Sequence, residues 1–367
     1  PIQKKDRESL PLIFPGFIDL HVHGAAGRDV MEAGDAASAI AAMHLRHGTT
    51  SMLATTMTAP ITAIKHALAG IARAMQRQAG RGLPTSAANQ APSQLASGSG
   101  HHHDDLPEPE AQILGVHLEG PYLSAQKLGA QPPHTKTASI AEVMALHQIA
   151  PLRVITLAPE HEEHLRLMLD LKEAGFRVQL GHSSASYEQA CEAFRCGAHS
   201  VTHLFNAMSA LHHRAPGLVG AALAHANYAE VIPDLLHVHP GAILAAHRAI
   251  PGLYAVTDAT AAAGMPDGSY RLGEHQVFRC LGAVRLADGT LAGSALTMDA
   301  AFRNLLSIGL SLTQASDMLS KRPAAMLGLE DRGSIEPGFR ADLVVFDRET
   351  MVLKQVVVGG QQLAFNP

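Results

Sequence analysis

The sequence predicts an α/β chain: a (β/α)8 TIM-like barrel with a small β-sandwich domain. Three observations carry the prediction. Short β-rich apolar runs alternate with Ala- and Leu-rich helical stretches. Residues able to ligate metal stand at the ends of most of those runs. From Gly333 onward the pattern switches to the two-residue alternation of antiparallel strands, broken by Gly-rich turns.

In chain order, strands are expected over 16–23, 49–55, 113–119, 153–157, 177–182, 200–204, 230–236 and 254–258. Helices are expected over 36–47, 61–77, 140–146, 162–174, 187–196 and 241–248. Eight strands with mostly helical crossovers suggest a closed barrel, with an open doubly wound sheet as the alternative. The stretch 83–110 (LPTSAANQAPSQLASGSGHHHDDLPEPE) is rich in Pro, Ser, Ala and Gly and has no apolar period. It is expected to be a surface insertion between the second and third strands. Its His101-His102-His103-Asp104-Asp105 run has metal-binding residue types, but nothing nearby would hold a geometry, so it reads as a solvated loop. The domains expected are an N-terminal β segment over 1–14, the barrel over 15–332, and C-terminal strands of the small domain over 333–367.

Composition excludes several classes of function. The 367 residues are 47% hydrophobic, enough for a sizeable core without disulfides. With 28 basic against 33 acidic side chains the formal net charge is −5, and no basic cluster offers a grip on nucleic acid. No apolar run reaches the ~18 residues of a membrane span, and no signal-peptide pattern opens the chain. Three cysteines, Cys191, Cys196 and Cys280, are too few for a disulfide framework and wrongly spaced for a zinc pair. A reducing cytoplasm is therefore expected. The 23 histidines, beside no tryptophan and 4% aromatics, direct attention to metal or proton chemistry.

Catalytic groups of such barrels gather at the C-terminal strand ends. Here the first strand ends in His21-Val22-His23, the third in His117-Leu118-Glu119-Gly120-Pro121 and the fifth in Gly181-His182-Ser183. The sixth reads Thr202-His203-Leu204-Phe205-Asn206, the seventh ends in His237 and the eighth in Thr257-Asp258. His21 and His23 are two apart on a strand, so both imidazoles point to one side. Any one of these histidines alone would more often be a core or loop residue. Together they predict a divalent-metal site, for zinc, iron or similar, held by imidazole and carboxylate.

At these residues a family resemblance becomes specific. Pro15-Gly16-Phe17-Ile18-Asp19-Leu20-His21-Val22-His23-Gly24 resembles the opening motif of the amidohydrolase superfamily. The HLEGP motif at 117–121, Gly181-His182-Ser183, THLFNAM at 202–208 and VTDAT at 256–260 resemble the N-acetylglucosamine-6-phosphate deacetylase family within it. So do GMPDGSY at 264–270 and LAGSALTM at 291–298. The matches run in the family's order from Pro15 to the C-terminal tail. The resemblance implies a principal metal held by Glu119, His182 and His203. It also implies a second ion in some members, through His21 and His23, with Glu119 shared and Asp258 touching it. The fourth strand ends in Leu157-Ala158-Pro159, without the lysine that carbamylated-lysine amidohydrolases place there.

The activity that the resemblance implies is removal of the acetyl group of N-acetylglucosamine 6-phosphate, giving glucosamine 6-phosphate and acetate. Asp258 takes the proton of the attacking water as general base and returns it to the departing amine as general acid. Ala130, Asn206, Ala207, Arg214, His237, Leu291, Ala292 and Gly293 match the substrate-contact positions. Arg214 is expected to reach the neighbouring subunit of a homodimer, where a guanidinium suits a phosphate dianion. His134 is a candidate for polarising the carbonyl, although members often carry a histidine where Gln131 stands. Leu235 replaces a glycine usual in the family, which is expected to alter the phosphate pocket. Only fourteen residues precede the Pro15-Gly16 motif, so the small domain is expected to be incomplete or the chain trimmed. The competing functions are the same reaction on N-acetylgalactosamine 6-phosphate, another amidohydrolase acting on a small amide, and a non-catalytic metal-binding barrel.

Overall fold

The apolar runs of the sequence become eight parallel strands. A computed structural model describes residues 10–80 and 109–363. Nearly all of the expected 83–110 insertion, with its histidine run, lies outside the described residues. β1 (Phe17–Val22), β2 (Thr49–Thr56), β3 (Gln112–Glu119), β4 (Leu152–Leu157), β5 (Arg177–Leu180) and β6 (Ser200–Val201) form one parallel sheet in that order. β7 (Tyr228–Val231) pairs in parallel with β8 (Gly252–Ala255). Leu204 N–H donates to the Glu230 carbonyl at 2.8 Å, joining the β6 and β7 segments. Asp258 N–H donates to the His21 carbonyl at 2.9 Å, and a parallel bridge links Val22 to Ala259, which closes the barrel. β1 and β2 are buried along their whole length, as a parallel sheet covered by helices requires.

The expected helices form within a few residues of their sequence bounds, and local capping sets their starts. Ser186 accepts from Gln189 N–H to open Tyr187–Arg195, and the Gln189 side chain accepts in return from the Ser186 backbone. Ser139 opens Ile140–His147 with its side chain alone, accepting from Glu142 N–H. The helix Gly217–His225 was not apparent in the sequence. Its run GLVGAALAH is buried over its first six residues and lacks a polar face to mark a 3.6-residue period. After β8 come an antiparallel hairpin unit (Gly268–Leu272, His275–Cys280, Ala283–Arg285) and three helices, Met298–Ser307, Leu312–Leu319 and Lys321–Leu327.

The small β unit is a four-stranded antiparallel sheet, Leu12–Pro15, Leu343–Phe346, Leu353–Val358 and Gln361–Leu363. Phe14 and Phe346 of this sheet pack with Phe17 and Phe302 of the barrel unit, ring centroids 5.0–6.0 Å apart. Each buried phenylalanine is worth roughly 1.5–3 kcal/mol, so this cluster fastens the sheet to the barrel. Among the described residues no helix is long and apolar enough to cross a membrane.

The seventh strand differs from expectation: it ends at Val231 rather than at position 236. Pro233 has no N–H to give to the ladder. Asp234 Oδ1 then accepts from both Leu236 N–H (2.9 Å) and His237 N–H (2.8 Å), turning the chain. Leu235 sits at φ 64°, a left-handed conformation that glycine adopts more readily than leucine.

Candidate active site

Four histidines and two carboxylates meet at the C-terminal mouth of the barrel. β1 delivers His21 and, one step beyond its end, His23; β3 ends on Glu119. β5, β6 and β8 all stop short of the expected ends, because His182 (φ 45°), His203 (φ 27°) and Asp258 (φ 50°) leave the strand direction through positive φ. Few non-glycine residues adopt such conformations, and they cluster at functional sites. Gly293 (φ 57°) is needed beside them, since a Cβ there would lie 2.9 Å from the Asp258 carbonyl oxygen.

One carboxylate spans two donor clusters. Glu119 Oε1 lies 3.1 Å from His182 Nε2 and 3.0 Å from His203 Nε2, and those nitrogens are 3.1 Å apart. Glu119 Oε2 lies 3.1 Å from His23 Nε2 and 3.4 Å from His21 Nε2, again 3.1 Å apart. Asp258 Oδ1 faces the second pair, 3.2 Å from His23 and 3.4 Å from His21. All six side chains are buried.

The outer hydrogen bonds decide what this cluster can hold. His182 Nδ1 meets the Lys127 carbonyl at 2.8 Å and His23 Nδ1 the Thr55 carbonyl at 3.2 Å. A carbonyl only accepts, so each ring carries its proton on Nδ1 and turns a bare Nε2 inward. His21 Nδ1 faces Glu230 Oε2 at 3.0 Å, with the same consequence. With neutral imidazoles, His182, His23 and His21 set bare lone pairs against the Glu119 carboxylate at 3.1–3.4 Å. Only positive charge resolves that arrangement. The electrostatics agree. Burial opposes charge on His23, yet hydrogen bonds to Asp258 and Glu119 prevail and raise its pKa to about 9. His21 is raised well above its ordinary value against burial, chiefly by Glu119 and Asp258. Burial pushes Asp258 up, but His21 and His23 hold it at about 2, and Glu119 falls well below the usual carboxylate range. A divalent cation meets the same demand, and the imidazole and carboxylate donors fit zinc, iron or a similar ion. The groups Glu119/His182/His203 and His21/His23/Glu119 each bring their ligand atoms within 4.8 Å of one another.

Beside this centre opens a cavity of about 250 Å³. Ala130, Asn206, Ala207, His237, Leu291 and Gly293 line it together with His23, Glu119, His182, His203 and Asp258. Three expected positions lie elsewhere. Ala292 is fully buried behind the lining, and its N–H donates to the Val284 carbonyl. Arg214 is exposed, with its guanidinium 2.9 Å from His213 Nε2 and outside the cavity of its own chain. His134 is paired with Glu274 at 3.2 Å and does not line the cavity, which corrects the carbonyl-polarising role expected for it. Gln131 stands there instead: its Oε1 accepts from Thr58 N–H (2.8 Å), so its Nε2 donates to Glu119 Oε2 (2.7 Å). Leu235 is also outside the lining, although His237, two residues on, is within it and bonds Asp234 at 2.6 Å. Sequence reasoning missed Glu230, whose signal was a lone carboxylate in the buried run between Ala229 and Val231. It also missed Met57, Leu272 and Thr290 of the cavity wall.

The model of the amidohydrolase family matches residues 12–363. The chain belongs to that family. It is 40% identical to the N-acetylgalactosamine-6-phosphate deacetylase of Escherichia coli O157:H7, over all of this chain and 91% of that one. It is 38% identical to the N-acetylglucosamine-6-phosphate deacetylase of Lysinibacillus sphaericus, over 95% of this chain and 84% of the relative. Among solved structures, N-acetyl-D-glucosamine-6-phosphate deacetylase from Mycobacterium smegmatis in complex with N-acetyl-D-glucosamine-6-phosphate superposes with a TM-score of 0.84 at 31% identity. That match covers 97% of this chain and 87% of the other. The whole-chain extent of these similarities accords with the resemblance read from HLEGP and THLFNAM.

Proposed function

We infer that this amidohydrolase removes the acetyl group of N-acetylglucosamine 6-phosphate, releasing acetate and glucosamine 6-phosphate. The observation that carries the reading is the imidazole and carboxylate cluster bridged by Glu119, with Asp258 at its edge and a sugar-sized cavity beside it. Relatives at 34–40% identity that bear deacetylase names support it. Glu119, His182 and His203 would hold the principal ion. His21 and His23, sharing Glu119 and adjoining Asp258, would hold a second, and their bare Nε2 atoms favour two ions over one. Bound metal supplies polarisation of the acetyl oxygen and lowers the pKa of water towards ~7.

The chain's own groups do the rest. Asp258, ionised throughout the neutral range, takes the proton of the attacking water and later returns it to the sugar nitrogen, turning a poor leaving group into an amine. Burial opposes charge on His237, but its hydrogen bond to Asp234 raises its pKa, which favours a charged donor facing the cavity. That charge, with Asn206 and the backbone around Ala130, Ala207, Leu291 and Gly293, suits a phosphorylated sugar. Arg214 lies outside its own cavity, which supports a dimer in which it serves the neighbour's site.

The epimer N-acetylgalactosamine 6-phosphate is the second reading, favoured by the 40% identity to the Escherichia coli enzyme of that name. Acetate release from both epimers, measured on protein loaded with a defined divalent metal, separates them. The expected result is a higher kcat/KM for the glucosamine compound. The reverse order would move the assignment to the epimer, and no release from either would refute the function.

A further inference from the structure

Glu230 is fully buried in β7, and four hydrogen-bonding groups converge on its carboxylate. Oε2 accepts the His203 backbone N–H at 3.1 Å and faces His21 Nδ1 at 3.0 Å. Oε1 accepts from Gln179 Nε2 at 3.1 Å and from the Tyr254 hydroxyl at 3.2 Å. A backbone N–H and an amide amino group can only donate, so each oxygen serves as an acceptor. The His21 nitrogen that faces Oε2 therefore carries the ring proton. Its other nitrogen is left bare, 3.1 Å from His23 Nε2 and 3.4 Å from Glu119 Oε2. One oxygen of Glu230 thus touches the side chain of one proposed ligand and the backbone of another, at the point where His203 adopts φ 27°.

We propose that Glu230 is a positioning residue that sets the tautomer and aim of His21 and thereby loads the second metal position. The inference rests on the two-ion reading above and deepens it. Glu230 reaches neither metal position itself; it acts through His21. At the Glu119/His182/His203 position the Lys127 carbonyl sets the His182 tautomer, and Glu230 touches His203 only at its backbone N–H, so that position is expected to keep its ion without Glu230. Carboxylates behind ligating imidazoles contribute ~10–100-fold in metal affinity.

Glu230→Gln tests this with little change of shape. A carboxamide has one accepting end, whereas Glu230 accepts at both, so the substitution cannot serve the His21/His203 side and the Gln179/Tyr254 side together. Wild-type and Glu230→Gln proteins would be equilibrated with zinc at fixed free concentrations, and ions per chain measured by elemental analysis. The expected result is two ions in the wild type and one in the variant, with the Kd of the second zinc raised ~10–100-fold. Two ions of unchanged affinity in the folded variant would overturn the proposal, as would loss of both ions together, which would make Glu230 merely structural. A wild type holding a single ion would overturn the two-ion reading and this inference with it. Should Glu230→Gln fail to fold, long-range ¹⁵N–¹H spectra of the zinc-loaded, histidine-labelled wild type decide. A His21 proton on Nδ1 supports the proposal, and one on Nε2 refutes it.

Discussion

Asparagine at position 258 removes the proposed proton carrier while keeping the shape of the site. Asp258 occupies φ 50°, a conformation that asparagine tolerates and most residues adopt only at a cost of ~1–2 kcal/mol. This makes Asp258→Asn more informative than truncation to alanine. The ion-pair contacts of Asp258 Oδ1 are with His23 (3.2 Å) and His21 (3.4 Å), whereas Glu119 Oε1 serves His182 and His203. The ion held by Glu119, His182 and His203 should therefore remain, and KM should change little. Loss of a positioned acid–base group slows reactions ~10²–10⁴-fold, or about 3–5 kcal/mol on the barrier. Because one carboxylate serves both proton transfers, the loss in kcat should fall near the upper end. Acetate release, bound metal and thermal melting should be measured on a single preparation. Near-normal kcat in the metal-loaded variant would refute the mechanism. A collapse of metal content or Tm would assign Asp258 to holding the site rather than moving the proton.

Three further outcomes are expected. Asp299 accepts from the Thr297 hydroxyl (2.6 Å) and Arg303 (2.9 Å) and pairs with His47 (3.1 Å); burial raises its pKa, but these partners, His47 foremost, bring it to about 2. A folded pKa below the unfolded value of ~3.9 adds stability above that pH that is lost as pH falls towards 2, so Asp299→Asn should cost up to about 2 kcal/mol at pH 7 and almost nothing near pH 2. Equal losses in denaturation at both pH values would assign the effect to packing. His237 has the opposite sign: its pKa is raised, so its charge is lost as pH climbs through that raised value, and KM should rise with the loss. Asp234→Asn should move this inflection down towards ~6.5, and an unmoved inflection would detach His237 from substrate binding. Arg214→Ala should weaken use of the phosphorylated sugar and leave an unphosphorylated analogue nearly unchanged. Mixing it with Asp258→Asn protein should restore activity, since one site of each hybrid dimer then has both residues; no recovery would argue against an arginine supplied from the neighbouring subunit.

The parts of this protein legible in sequence are those with a local signature. Strand cores showed as β-rich apolar runs, and the site residues showed because motifs mark where those runs end. His182, His203 and Asp258 are expected from sequence at strand ends, whereas the structure places each beyond the last residue of its strand. All three sit at positive φ, which no local residue type such as glycine announces. The end of β7 could have been read from Pro233-Asp234, whose missing donor and Asx turn are local chemistry. Glu230 could not be given a role from sequence, because its meaning depends on facing His21, 209 residues away. His134 and Gln131 show the same limit: three residues apart in one loop, one pairs with a surface glutamate and the other reaches Glu119. The Gly217–His225 helix was hidden for a different reason. Burial on nearly every side erased its periodicity.

The most direct test of the central claim is acetate release from N-acetylglucosamine 6-phosphate by protein stripped with a chelator, before and after a divalent metal is restored. The account predicts that activity disappears with the ions and returns with them, while Glu119→Gln protein, deprived of the bridging carboxylate, regains little at the same free metal. Full activity in the stripped enzyme, or full recovery in Glu119→Gln, would contradict it.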